Sequence, residues 1–274
     1  MGEWTGELRL TAEERRGKTV AGSVYFQGAF KVMRPVYHDD SGQACYYLLN
    51  PGGGYLDGDR YKMQISLEKN ARLTLTTQSA TKVYKTPTNH VYQETEIILN
   101  EGSFLEYLPD PLIAYREARY KQKNVIRMKK NATFIYQDIV TPGWSPDGDH
   151  FSYKSVQLLN EIYMDDDLAA YDHIKLQPGT QNIRGLGFME GFSHLGSMIV
   201  VGEQTDSTLL DQLFHIINEH SSSFKMGISL LPIPGFTIRI LAISTQVIER
   251  IFTECLHKIR KEWFGTSLCF LRKY

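Results

Sequence analysis

The stretch that decides the fold is KMQISLEKNARLTLT, residues 62–76. Apolar and polar residues alternate through 62–67 and again through 72–76, and a period of two is typical of strands with one buried face. Asn70-Ala71 separates the two runs, and asparagine followed by a small residue is common in turns. Further alternating runs occur at residues 95–99 and 124–128. The first 200 residues are therefore predicted to be rich in strands.

Small residues recur at a regular distance along this strand-rich part. Ala44, Ala71, Gly102 and Ala132 each open a strand, at intervals of 27, 31 and 30 positions. Such a period favours stacked strand pairs or the turns of a β-solenoid. Hairpin turns that recur without stacking are the alternative interpretation of the same pattern.

Two helices are predicted near the C-terminus. The first spans 207–220 with Asp206 as its N-cap, and the second spans 244–264 and ends at Gly265. Both have apolar residues at steps of three and four, and the residues between them favour two strands. The sequence thus predicts a mainly β fold of stacked, β-helix-like sheets in a single domain, 1–274. Its strand-rich part covers 1–200, and a helix–strand–helix part covers 201–274.

Composition excludes several classes of protein. Lys and Arg total 30 against 31 Asp and Glu, so the net charge of -1 argues against nucleic-acid binding through bulk charge. There is no basic-then-apolar leader at the N-terminus and no apolar run of membrane-spanning length. Three cysteines without a CxxC pair fit a reducing compartment. These observations predict a cytoplasmic protein with neither a nucleic-acid nor a membrane partner.

Metal-binding patterns are weak. The eight histidines form no HxH, HxxxH or HExxH pair, so a tight, preformed transition-metal site is not predicted. The most unusual segment is 50–61, whose glycines are costly in chain entropy. Its two aspartates suit either a cation that is handed on rather than held, or an Asx-turned hairpin. The four glycines of this segment are Gly52, Gly53, Gly54 and Gly58.

Several motifs resemble one protein family when they are taken in order. They are NPGGG at 50–54 with Gly58-Asp59, LTTQSATKVY at 75–84, LEYLPDP at 105–111 leading into Tyr115-Arg116, and Gly143-Trp144. Each motif alone is weak, but their order and spacing over about residues 50–145 resemble the UreD family of urease accessory proteins, also called UreH.

The resemblance implies a non-enzymatic role. Proteins of this family help insert nickel into apo-urease, in a complex with UreF and the GTPase UreG that docks on the urease apoprotein. The family fold is a strand-rich stack of sheets with two helices, which agrees with the prediction from periodicity. The resemblance also implies an internal, water-filled route for nickel, so Ni²⁺ is expected in transit and no tightly bound cofactor is expected.

Six ionisable residues lie in or beside the matched motifs: Asp59, Lys82, Glu106, Asp110, Arg116 and Glu117. We expect several of them to face a wet interior, because buried ionisable groups are costly unless they are paired or hydrated. The carboxylates Asp59, Glu106 and Asp110 would hold Ni²⁺ weakly enough to release it. Lys82 and Arg116 would balance these acids when no metal is present. The alternative is a structural network of salt bridges.

Two other classes of function stay open on the sequence alone. One is a β-rich adaptor between proteins that has no metal role. The other is a β-solenoid enzyme, such as a carbohydrate-active one, that uses Asp110 with Glu106 or Glu117 as acid and base.

Overall fold

The structure of the chain, a computed structural model, describes residues 3–218, 224–266 and 271. Its strands are β1 (Gly6–Arg15), β2 (Lys18–Gly28), β3 (Lys31–Val32), β4 (Ala44–Leu49), β5 (Arg60–Leu67), β6 (Arg72–Thr77), β7 (Thr81–Val83), β8 (Val91–Leu99), β9 (Phe104–Leu108), β10 (Leu112–Ala114), β11 (Arg119–Met128), β12 (Thr133–Val140), β13 (Ser155–Met164), β14 (Asp167–Leu176), β15 (His194–Val201), β16 (Phe224–Leu230) and β17 (Gly235–Ala242). Its helices are α1 (Ser207–Asn218) and α2 (Thr245–Phe264).

The strands form two sheets. The seven-stranded sheet has the order β14-β13-β11-β8-β5-β1-β2, and its five central strands are parallel. The ten-stranded sheet has the order β16-β17-β15-β12-β9-β6-β4-β3, with β7 and β10 beside this path. From β5 to β13 the chain alternates between the sheets and adds a parallel strand at each return. This is the stacked, solenoid-like arrangement that the sequence predicts.

Each coil of the repeat turns from one sheet to the other at a residue with left-handed backbone conformation. Arg72, Phe104 and Thr133 are in register on neighbouring strands. Two positions earlier, Asn70, Gly102 and Asn131 all have positive φ, at 62°, 68° and 63°. A Cβ atom on Gly102 would lie 2.3 Å from Asn70 Oδ1, so any larger residue there would displace the Asn70 side chain.

Two details of the predicted repeat are therefore wrong. Gly102 is equivalent to Asn70 and Asn131, not to Ala71 and Ala132. Ala44 pairs with Leu73 inside the sheet, so it does not lie at this turn. Both errors are one- or two-residue shifts, which arise because the turns differ in length.

Two apolar layers hold the two sheets and the pair of helices together. One lies between the sheets and includes Leu10, Ile65 and Leu105. The other lies between the ten-stranded sheet and the helices and includes Ile240 and Phe252. Because side chains alternate along a strand, β9 sends Leu105 and Tyr107 into the first layer and Phe104, Glu106 and Leu108 toward the helices.

The two predicted helices are confirmed. Asp206 Oδ1 accepts the Leu209 amide at 2.7 Å at the start of α1, whose predicted end, His220, lies outside the described residues. Ser244 caps α2 by accepting the Val247 amide at 3.4 Å, and Gly265 ends it with a φ of 63°. No helix among the described residues is long and apolar enough to cross a membrane.

Candidate functional site

A row of polar side chains crosses the inner face of the seven-stranded sheet. Thr95, Asn124, Asn160 and Asp172 are in register on β8, β11, β13 and β14. Three of them, Thr95, Asn124 and Asn160, are almost fully buried, at 0–1% exposure. Buried polar groups are costly unless they are hydrogen-bonded, so their alignment in one row needs an explanation.

A second polar row faces the first from the ten-stranded sheet. Asp138, Ser197 and Arg239 are in register on β12, β15 and β17. The Arg239 guanidinium reaches across the layer and forms an ion pair with Asp172 of the opposite sheet. The two rows therefore meet through a charged contact between the sheets.

Tyr136 connects the rows a second time. Its hydroxyl accepts from Gln122 Nε2 at 2.8 Å and from Asn124 Nδ2 at 3.1 Å, and it donates to Asp138 Oδ2 at 2.5 Å. One donor and two acceptor sites are all that a phenol offers, so this hydroxyl is fully satisfied.

The hydrogen bonds continue in both directions. On one side the single Tyr120 hydroxyl proton is shared between Gln122 Oε1 at 2.9 Å and Gln93 Oε1 at 3.3 Å, and Tyr55 donates to Gln93 Oε1 at 2.9 Å. On the other side Asn124 donates to Asn160 at 2.8 Å, and Asn160 donates to Asp172. We call this connected set the polar corridor: Tyr55, Gln93, Tyr120, Gln122, Tyr136, Asp138, Asn124, Asn160, Asp172 and Arg239.

A cavity lies at each end of the polar corridor. The first cavity, of about 80 Å³, is lined by Gln93, Gln122 and Asp138 inside and by Lys82 and Asp110 at its mouth. Its volume is enough for several water molecules, since one water needs roughly 10–15 Å³ by this measure. The second cavity, of about 360 Å³, is lined by residues that include Asn160, Asp172, Leu231 and Arg239.

Several buried polar atoms along or beside the corridor have no partner among the described residues. They are Thr95 Oγ1, Asn124 Oδ1, Ser197 Oγ and Arg239 Nη1. Buried polar groups of folded proteins are nearly always paired, with protein or with ordered water. The interior thus has oxygen ligands to offer water or a small cation.

Asp138 is the most perturbed carboxyl of the corridor. Burial raises its pKa to about 7, and the nearby Asp172 carboxylate adds to the rise. Hydrogen bonds from Tyr136 and Gln122 and the charge of Arg239 act in the opposite direction. Asp138 therefore gains and loses its proton near neutral pH, and a cation beside it would favour the ionised form.

Two of the predicted site residues lie at the mouth of the first cavity. Lys82 is on β7, and Asp110 follows β9. Thr77 Oγ1 fixes the aspartate by donating to Asp110 Oδ2 at 2.9 Å and accepting the Asp110 amide at 2.8 Å. An acid and a lysine therefore face the same entrance.

Asp59 lies in the turn before β5 and is half-buried. Its carboxylate accepts the Leu56 amide at 2.7 Å, the Tyr61 hydroxyl at 3.0 Å and Thr5 Oγ1 at 3.2 Å. Such a set of donors is typical of a side chain that fixes a turn.

The predicted glycines shape the adjoining loop. Gly53 and Gly58 have positive φ, at 76° and 80°. A Cβ on Gly54 would lie 2.6 Å from the Tyr84 ring, so this residue lets the loop approach the neighbouring coil. The Gly52 amide donates to Asn50 Oδ1 at 3.1 Å, which makes an Asx turn.

Glu106 lies on the other side of the ten-stranded sheet. It is 1% exposed, and its Oε2 accepts from Gln43 at 2.9 Å, Thr74 at 2.8 Å and Arg260 Nη1 at 2.7 Å. Arg260 belongs to α2 and is 2% exposed. The pair fixes the helix to the sheet, and Glu106 does not face the polar corridor.

Arg116 and Glu117 lie at the surface. Arg116 pairs with Asp147, and Glu117 pairs with Lys85, each at 2.5 Å. The hydrogen bond and charge of Lys85 lower the pKa of Glu117. The six predicted ionisable residues are thus spread over four places, and Lys82 and Asp110 line the same cavity.

Sequence reasoning missed the corridor itself. A signal was present, because polar residues occupy inward positions that alternate with outward ones on β8, β11 and β13: Gln93, Thr95, Gln122, Asn124 and Asn160. Aligning these strands by the repeat would have stacked Thr95, Asn124 and Asn160. The charged partners Asp172 and Arg239 carry no such local signal. No group of three or more His, Cys, Asp or Glu side chains in the described part of the chain forms a metal-binding cluster.

Comparisons with known proteins identify the family of this chain. The family model described as UreD urease accessory protein matches residues 5–273. The urease accessory protein UreD of Lachnoclostridium phytofermentans is 50% identical over 274 residues, covering all of both chains. A UreD protein of Staphylococcus aureus is 42% identical, over 99% of both chains.

The chain belongs to the UreD family.

The motifs that carried the resemblance to UreD proteins meet in space. Residues from the segments 50–54, 75–84 and 105–111 line the first cavity and its mouth. The remaining motifs stack beside them, where the Tyr115 ring lies 4.8 Å from both Tyr84 and Trp144. In this UreD-family chain the motif residues therefore form one entrance to the corridor.

Proposed function

We propose that this chain is a non-catalytic assembly factor that helps load nickel into apo-urease in the cytoplasm. UreF and the GTPase UreG are its proposed partners, and the complex docks on the urease apoprotein. Nickel is cargo in this proposal, and it moves between the sheets along the polar corridor. Membership of a family of urease accessory proteins supports the assembly role.

The continuity of the polar corridor carries the proposal. Hydrogen-bonded side chains connect two cavities, and unpartnered oxygens lie along and beside them. Amide, hydroxyl and carboxylate oxygens bind Ni²⁺ less tightly than thiolate or imidazole groups do. A line of such ligands suits an ion that must be released.

The residues at each step have distinct tasks in this proposal. Asp110 and Lys82 set the charge at the entrance, with the lysine balancing the acid when no ion is present. Asp138 exchanges its proton for the cation, and the neutral oxygens of Asn124 and Ser197 replace part of the hydration shell. Asp172 receives the ion toward the second cavity.

The second candidate is an adaptor between proteins with no metal role. It is favoured by Asp59 and Glu106, two carboxylates whose donors are fixed protein groups. An enzymatic acid and base pair of Asp110 with Glu106 has less support, because Glu106 is buried beneath α2 while Asp110 lies at the cavity mouth.

The test uses cells that carry the urease structural genes and the other accessory genes. Urease protein and urease-bound nickel are measured without this gene, with the wild-type gene and with Asn124→Leu. The substitution keeps the side-chain size but removes the amide from the corridor. Gln157→Leu, on the outer face of β13, is the matched control.

The proposal expects apo-urease to accumulate without the gene and with Asn124→Leu, while Gln157→Leu loads nickel normally. If Asn124→Leu is present at the wild-type level and loads urease fully, the adaptor explanation replaces the route. If urease is loaded equally well without the gene, the assembly role itself is wrong.

A further inference from the structure

Arg239 is the one feature of the polar corridor that a route for cations does not explain. A guanidinium is always charged in proteins and repels a metal ion. Its Nη2 pairs with Asp172, while its buried Nη1 has no partner among the described residues. It lies in the same cross-strand row as Asp138: Arg239 on β17 pairs with Ser197 on β15, and Ser197 pairs with Asp138 on β12.

We propose that Arg239 is the resident counter-ion of the corridor, and that it sets how tightly the acids Asp138 and Asp172 hold a divalent cation. This inference rests on the proposed function and assigns one residue a specific task in it. A cation that enters displaces the guanidinium from Asp172. When the cation leaves, the guanidinium returns, so the protein contains its own competitor for the metal.

Three observations point to a ligand between these groups. The Asp172–Arg239 pair joins the two sheets and borders the second cavity. Asn124, 1% exposed, and Ser197, 2% exposed, each have an oxygen without a partner in the described structure. Asp138 lines the first cavity and Asp172 lines the second, so each of the two acids borders a cavity.

Charge arithmetic explains why a counter-ion is needed. Asp138 and Asp172 together bring up to two negative charges between the sheets, and Arg239 brings one positive charge. Without Arg239 the acids would attract any divalent cation strongly at the low effective dielectric of an interior. A delivery protein with such a site would retain its cargo.

The half-buried Asp172–Arg239 pair also differs from the buried pair of Glu106 with Arg260. Arg260 and Glu106 are both nearly inaccessible, at 3% and 1% side-chain exposure. The side chains of Arg239 and Asp172 are 32% and 20% exposed. An arginine that must move aside needs this room, and the second cavity supplies it.

The experiment measures Ni²⁺ binding to the purified full-length chain by equilibrium dialysis, with nickel chloride as the probe. Arg239→Gln should bind Ni²⁺ about tenfold or more tightly than the wild type, because a repelling unit charge is gone. Asp172→Asn should bind about tenfold more weakly. The double variant should return toward the wild-type affinity.

Two further variants serve as controls. Arg239→Lys keeps the charge and should stay within about threefold of the wild type. Arg127→Gln removes an arginine that faces Asp166 on the outer side of β11, 4.0 Å away, and should leave the affinity unchanged. Circular dichroism of each variant confirms that it is folded.

The counter-ion assignment is overturned if folded Arg239→Gln binds Ni²⁺ no more tightly than the wild type. It is also overturned if folded Asp172→Asn binds Ni²⁺ as tightly as the wild type. In cells, Arg239→Gln should lower urease-bound nickel and raise the nickel that copurifies with this chain. If its affinity rises as expected but Asn124→Leu still loads urease fully, the counter-ion stands and the proposed route fails.

Discussion

Each face of the ten-stranded sheet carries an acid, and the two acids differ in their surroundings: Glu106 is buried, whereas Asp138 is half-buried. Glu106, on the helix side, accepts three hydrogen bonds at one oxygen, one of them from the full charge of Arg260. Asp138, on the corridor side, is hydrogen-bonded by the neutral groups of Tyr136 and Gln122 and lines a cavity.

The difference separates a structural acid from a candidate functional one. A buried carboxylate that meets an arginine is compensated and fixes two elements together. A half-buried carboxyl whose pKa is raised beside a cavity keeps part of its desolvation cost, and such groups cluster at functional sites. The groups that contact an acid, and not its burial alone, distinguish a structural acid from a functional one.

The largest effect is expected from breaking the helix-side pair. Arg260→Met leaves Glu106 buried without its counter-charge, which typically costs 3–5 kcal/mol. The free energy of unfolding in urea should fall by about that amount. The double variant Glu106→Leu with Arg260→Met should recover most of the loss, and a double variant as unstable as the single one would contradict the structural role of the pair.

On the corridor side, removing the acid is expected to raise the free energy of unfolding rather than lower it. The pKa of Asp138 is raised in the folded state, so its ionisation costs stability once the pH exceeds about 4, and the cost is complete above pH 7. Asp138→Asn should therefore stabilise the protein by up to roughly 4 kcal/mol at pH 8 and by less than half of that at pH 5. Equal effects at both pH values would show that burial does not raise this pKa.

A smaller effect is expected at the start of α2, the helix that covers Glu106. Ser244→Ala removes the N-cap and should cost about 1 kcal/mol, or roughly 2–4 °C in Tm. Because the cap lies outside the corridor, Ni²⁺ binding to the purified chain should not change. Thermal unfolding and equilibrium dialysis together test both statements, and altered binding would mean that the two faces are coupled.

The smallest effect is expected at the surface pair of Arg116 with Asp147. Both side chains are at least half exposed, at 50% and 63%. Exposed ion pairs contribute about 0–1 kcal/mol, so Arg116→Gln should change the free energy of unfolding by no more than that. A loss of several kcal/mol would contradict this expectation, because it would make the exposed pair as stabilising as the buried pair of Glu106 with Arg260.

Much of the fold was predictable, because strand and helix periods are local properties. The alternation at 62–67 and 72–76 gave strands β5 and β6, and the three- and four-residue steps gave α2. The sequence revealed the repeat, but it aligned Gly102 one residue away from its true equivalents Asn70 and Asn131. Turns of different length change the sequence spacing of equivalent residues without changing how the strands stack.

The site was predictable only where motifs are contiguous. The segments with Lys82 and Asp110 carried the family resemblance and lie at the first cavity. The partner that makes Glu106 structural, Arg260, is 154 residues away in sequence. Asp138, Asp172 and Arg239 meet only across two sheets, so no local pattern reveals them.

We propose that the corridor side of the ten-stranded sheet serves the nickel cargo and that the helix side does not. The direct measurement is nickel per urease in cells that carry the urease genes, the other accessory genes and either Asp138→Asn or the double variant Glu106→Leu with Arg260→Met. At equal levels of this chain, we predict a several-fold loss of urease-bound nickel with Asp138→Asn and full loading with the double variant. Full loading with Asp138→Asn and loss with the double variant would contradict the claim.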